Sequence, residues 1–103
     1  MLRFLLAAAA VLVLALPATA QDAEVGNEYE ITIETEEDNQ YTGPYGQARI
    51  GGVVVNVPNA KMKEKYKVKI TDIRVNQYSQ DRQASCEFEQ VDGDKKGECL
   101  GAP

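Results

Sequence analysis

The chain has 103 residues, with eleven Lys and Arg against sixteen Asp and Glu, a net charge of −5 at pH 7. It contains no His and no Trp, which excludes imidazole metal sites and His-based acid–base catalysis. Its acidic balance argues against broad polyanion binding, because phosphate contacts supply most nucleic-acid affinity.

The first twenty residues read as a secretory signal. Arg3 gives a positive start, Phe4 to Leu16 is an unbroken apolar run, and Pro17 breaks it. Ala18-Thr19-Ala20 then offers a small-residue cleavage site before Gln21. The run is too short to span a bilayer as a helix, which needs about 20 residues. This predicts a helical signal segment over 1–20, cleavage after Ala20, and a secreted or periplasmic product free of the membrane. An uncleaved anchor and a mis-assigned start are the alternatives. The mature chain, Gln21 to Pro103, is one small domain with a thin margin of stability. Without Arg3 it keeps ten basic and sixteen acidic residues, a net of −6.

Residues 21–27 are polar and are expected to be a disordered linker. Glu28 to Thr35 alternates, with Tyr29, Ile31 and Ile33 on one face, the period of a half-buried strand. Glu36 to Gln40 is expected as an acidic loop, continued by Tyr41-Thr42-Gly43-Pro44-Tyr45-Gly46. Gln47 to Ile50 is a short second strand. Gly51-Gly52 makes a two-residue hairpin turn, both positions tolerating positive φ. Val53 to Val57 is the third and most apolar strand, ended by Pro58. Asn59 to Glu64 is a turn.

Lys65 to Val75 is the fourth strand. Tyr66, Val68 and Ile70 face inward and Lys65, Lys67 and Lys69 outward, with a bulge expected near Asp72-Ile73. Asn76 to Arg82 is a polar loop carrying Tyr78. Gln83 to Val91 is a fifth strand with Ala84, Cys86 and Phe88 on one side. Residues 92–103 are turn or tail. No helical periodicity follows residue 20, and no internal repeat stands out. Five such strands predict an all-β fold, a single small antiparallel barrel of the OB or SH3 kind over residues 28–91.

Cys86 and Cys99 make an even count in an exported chain, which favours a disulfide pinning the tail to the last strand. A buried Cys86 with a free Cys99 thiol is the alternative. No metal site is expected from two Cys without His, and no cofactor.

In order and spacing, these pieces resemble the TRAM domain, a small barrel found alone in archaea and appended to tRNA-modifying enzymes. Gly26-Asn27-Glu28-Tyr29-Glu30-Ile31-Thr32-Ile33 is similar to its opening strand, and Gly46-Gln47-Ala48-Arg49-Ile50 to its "G-x-A-R-x" segment. Gly52 through Lys61 is similar to "G-x-V-V-x-V-P-x-A-x", and Lys65 to Thr71 to the strand that follows. The resemblance spans Val25 to Val91 and implies non-catalytic binding of RNA, either tRNA or single strands. Where the family often carries aromatic rings, this chain has Val53 and Asn56.

The candidate nucleic-acid contacts are therefore Lys61, Lys65, Lys67, Lys69 and Arg74, with Arg49 carried over from the "A-R" segment. Tyr41 and Tyr45, with Tyr78, are candidate stacking rings. The bland alternatives are a solvated lysine face paired with Glu28, Glu30 or Glu34, and tyrosines that cover the barrel ends. Glu34, Glu36, Glu37 and Asp38 lack calcium-loop spacing and read as solvated. The second functional expectation is an exported, monomeric barrel that binds a protein, peptide or envelope ligand, with nucleic-acid binding lost.

Overall fold

The structure is a computed structural model that describes residues 21–102. The expected signal segment over 1–20 lies outside the described residues. Seven strands follow one another: β1 (Glu28–Thr32), β2 (Thr35–Asn39), β3 (Gly43–Ile50), β4 (Val53–Pro58), β5 (Lys65–Val75), β6 (Arg82–Gln90) and β7 (Lys96–Glu98). There is no helix among the described residues.

The sheet order is β1-β5-β6-β4-β3-β2, with β7 added on β6. β1 and β2 are consecutive in the chain yet stand at opposite ends of that order. The chain crosses between them at Ile33-Glu34. The Ile33 N–H donates to the Glu64 carbonyl at 2.9 Å, and the Glu34 N–H donates to the Gln47 carbonyl at 2.9 Å. One residue is thus tied to the lead-in of β5 and the next to β3. β1 and β2 are two arms of a single bent strand that curls the sheet into a barrel of the OB kind.

The bend is crowded. A Cβ on Gly46 would lie 2.6 Å from Ile33 Cγ2 and 2.9 Å from both Ala60 Cβ and the Ala60 carbonyl oxygen. Only glycine lets the bent strand pass this close to β3.

Counted with its two arms as one strand, the barrel has the five members expected, and β7 is a short addition. Four placements differ from expectation. Gly43-Pro44-Tyr45-Gly46, expected as loop, is the first half of β3 and pairs with β2. The acidic stretch after Thr35 is β2 rather than a loop. All its side chains are exposed, so it carries no apolar alternation to reveal a strand. β4 and β6 pair in parallel over Val53–Val55 and Arg82–Ala84, so the barrel is not wholly antiparallel. Residues 21–27 are partly tied down rather than disordered, and Lys96–Glu98 of the expected tail form β7. Ala23 is buried, the Gly52 N–H donates to Asp22 Oδ1 at 2.7 Å, and Asp22 also pairs with Arg82.

The core follows the alternation read from the sequence. Ile31, Ile33, Tyr66, Val68, Ile70, Ala84, Cys86 and Phe88 are buried together with Val53, Val55 and Val57. Tyr66 and Phe88 meet edge to face with centroids 5.6 Å apart. The expected bulge is present: the β5–β6 register shifts between Ile70 and Asp72. The Val53 hairpin turns on Gly51 at φ 63°, while Gly52 needs no positive φ, and Asn59 takes φ 60° after Pro58. Cys86 and Cys99 form the expected disulfide, with Cα atoms 4.9 Å apart.

Candidate nucleic-acid interface

The lysines of β5 project outward because Tyr66, Val68 and Ile70 between them are buried. The register sets their neighbours. On the β1 side Lys69 stands opposite Glu28 and Lys67 opposite Glu30. On the β6 side Lys69 faces Glu87 and Lys67 faces Glu89. Each of these two lysines therefore lies between two glutamates, which cross-strand attraction favours. Beyond β6, Glu87 faces Glu98 and Glu89 faces Lys96. The outer face is a mosaic of both signs rather than a cationic plane.

Lys65 is different. It stands opposite Thr32 on β1, and on the β6 side its carbonyl accepts the Val91 N–H at 2.9 Å. It continues the exposed turn that holds Lys61 and Lys63. The two carboxylates at this turn are committed to backbone. Glu64 Oε1 accepts the Lys61 N–H at 2.7 Å, and Glu36 Oε2 accepts the Met62 N–H at 3.2 Å. Glu64 also accepts from Tyr66 Oη at 2.8 Å and pairs with Lys95 at 3.4 Å. The Lys61 N–H and these partners hold its carboxyl below the usual glutamate range. Lys61, Lys63 and Lys65 outnumber the Glu36 and Glu64 carboxylates, so the turn is a modestly cationic corner. Lys63 shares this turn with Lys61 but is not among the sequence-based candidates, and nothing in the strand alternation separates the two.

The two arginines lie elsewhere. Arg74 is near the far end of β5, roughly 30 Å along the strand from Lys65, and pairs with Asp72 at 2.7 Å. Arg49, on β3, pairs with Asp81 of the β5–β6 loop at 4.0 Å.

The tyrosines do come together. Tyr41, in the β2–β3 turn, Tyr45 on β3 and Tyr78 in the β5–β6 loop line one open hollow of about 550 Å³. Its remaining described lining includes Asn56 and contains no Asp, Glu, Lys or Arg. Asn56 is 8% exposed and its Oδ1 accepts from Gln47 Nε2 at 3.0 Å. One wall is the segment after the disulfide: Leu100 bridges to Asn56, and Leu100 and Gly101 complete the lining.

What the arrangement offers is a barrel with a cationic corner and an uncharged, ring-lined hollow. No curated protein and no solved structure matches the chain. The family model of the TRAM domain matches residues 22–78, more than half of the chain. The match runs from the N-terminal segment through β5 to Tyr78. TRAM domains are binding domains, in general for nucleic acid. The chain belongs to the TRAM domain family.

Proposed function

We propose that this protein is a non-catalytic TRAM-type barrel that binds RNA, as tRNA or single strands, with phosphates held at Lys61, Lys63 and Lys65. The observation that carries this reading is the cationic corner on a TRAM barrel, free of the facing glutamates that flank Lys67 and Lys69. Phosphate contacts of this kind give sequence-independent binding, with dissociation constants of about 1–100 μM at physiological salt. Anisotropy of a labelled tRNA or uridine strand tests it. Saturable binding that weakens with added salt is expected; no binding even at low salt contradicts it.

We also propose that residues 1–20 are an export signal removed after Ala20, giving a secreted or periplasmic monomer. The support is the Arg3–Ala20 pattern and the Cys86–Cys99 disulfide, a bond of oxidising compartments. N-terminal sequencing and the intact mass of the purified protein test it. A start at Gln21 with a mass two hydrogens below the reduced value is expected, and a retained Met1 contradicts it.

The second reading, an exported barrel that binds a protein, peptide or envelope ligand, is favoured by one observation. Lys67 and Lys69 are matched by four glutamates across the strands, which leaves little free positive charge for a polyanion. Pull-down from periplasmic or culture fractions separates the two, and recovery of RNA alone counts against this second reading.

A further inference from the structure

Two loops on the rim of the hollow carry nearly the same tetrapeptide. Asn39-Gln40-Tyr41-Thr42 runs from β2 into the β2–β3 turn, and Asn76-Gln77-Tyr78-Ser79 follows β5. The local geometry is also shared. Asn39 Oδ1 accepts the N–H of Tyr41 at 2.7 Å and of Thr42 at 3.3 Å. Asn76 Oδ1 accepts the N–H of Tyr78 at 2.8 Å and of Ser79 at 3.2 Å. Each tyrosine is thus presented by a side-chain-capped turn rather than by a free loop, so little further order is needed on binding.

Tyr41 is 86% exposed and Tyr78 is 81% exposed. Their rings therefore bury little against the barrel and do not serve its core. The aromatic pair packed ring against ring among the described residues is Tyr66–Phe88, so neither Tyr41 nor Tyr78 is stacked on another ring. Beneath them Asn56 is more than nine-tenths buried, and its Nδ2 donates to nothing among the described residues. It is not sealed from solvent. Asn56 lines the hollow, so a ligand acceptor there can take the place of water on its amide.

We infer that the twin Asn-Gln-Tyr loops form a clamp for one unpaired nucleobase, held flat between Tyr41 and Tyr78 with its edge hydrogen-bonded to Asn56. This deepens the RNA reading above and rests on it. A base is the uncharged, planar part of a nucleotide, which suits a hollow lined by rings and amides without a charged side chain. Stacking on aromatic rings and hydrogen bonds to base edges is how unpaired bases are held. Asn76 and Tyr78 follow β5 at the end opposite Lys65, so a strand of several nucleotides is needed to reach from the hollow to the lysine corner.

The test compares a short uridine strand with an abasic strand of equal length and charge. Tyr41→Ala and Tyr78→Ala are made singly and together. Both residues are exposed, and circular dichroism verifies that the fold is kept. Each substitution is expected to weaken binding of the uridine strand about tenfold, by the same factor at low and high salt, and to leave abasic binding unchanged. Tyr→Phe at either position is expected to retain most of the affinity. If the Ala variants bind the uridine strand like the parent, or lose both strands equally, the clamp is overturned while the RNA reading stands. If the parent binds neither strand, both fall. Binding of a neutral oligosaccharide, lost in the same variants, overturns the base assignment.

Discussion

The amide N–H of Leu100 donates to the carbonyl oxygen of Asn56 at 2.9 Å, one residue beyond Cys99 and its bond to Cys86. The contact continues a chain of bonds into the hollow. Leu100 O accepts from Gln83 Nε2 at 2.8 Å, and Gln83 Oε1 accepts from Asn76 Nδ2 at 3.0 Å. Asn76 in turn caps the Tyr78 turn. The disulfide therefore holds one wall of the hollow and indirectly positions one of its rings.

Reduction of the disulfide, or Cys86→Ala with Cys99→Ala, is expected to release this wall. Closing a loop of thirteen residues' separation stabilises by about 3 kcal/mol in the chain-entropy picture. Thermal melts with and without reductant read the loss. Hydrogen exchange reads its location: the Leu100 amide is expected to lose protection on reduction, while the β5 amides of Val68 and Ile70 keep theirs. Equal melting in both states contradicts this role.

Gly46→Ala is expected to destabilise the barrel by about 1–3 kcal/mol, the usual cost of overpacking. The added methyl meets Ile33 Cγ2 and a backbone oxygen of Ala60, and the backbone atom cannot swing aside. The denaturation midpoint measures it, and an unchanged midpoint would show that the bent strand has slack at Ile33.

Stability is expected to fall at both ends of the pH scale. Glu64 is held below its ordinary 4.5, first by the Lys61 N–H, and Asp22 below its ordinary 3.8, first by Arg82. A carboxyl with a lowered folded pKa stabilises above its ordinary value and loses this as pH falls through the folded one. Tyr66 is raised above its ordinary 10.0, first by burial and then by its hydrogen bond to Glu64. Its contribution is complete below pH 10 and declines as pH rises beyond it. Melting temperature is therefore expected to be level between about pH 5 and 9 and to drop on either side. For Tyr66→Phe the alkaline fall should begin at higher pH.

Much of the barrel was legible because its inward residues alternate. Tyr66, Val68 and Ile70 on β5, and Ala84, Cys86 and Phe88 on β6, mark both strands, and the bulge near Asp72 is visible as a slip in that alternation. β2 was not legible, because a strand exposed along its whole length has no apolar period. The charge of the outer face was only partly legible. The lysine stripe is plain in the sequence, and its pairing with Glu28 and Glu30 is among the readings the alternation offers, but Glu87 and Glu89 come alongside only through the β5–β6 register. The hollow has a faint signal in the sequence: Asn-Gln-Tyr followed by Thr or Ser occurs twice, too short to register as a repeat. That the two copies face one hollow is a property of the barrel, not of either segment.

The central claim is that RNA is held at the corner formed by Lys61, Lys63 and Lys65, and the salt dependence of binding in two lysine variants tests it most directly. For three phosphate contacts to a single strand, log affinity should fall against log salt with a slope of about −2. Lys61→Ala, Lys63→Ala and Lys65→Ala together are expected to bring that slope close to zero. Lys67→Ala with Lys69→Ala, which removes lysines already flanked by glutamates, is expected to leave it nearly unchanged. Equal slopes in the two variants, or no binding by the parent protein at low salt, would contradict the claim.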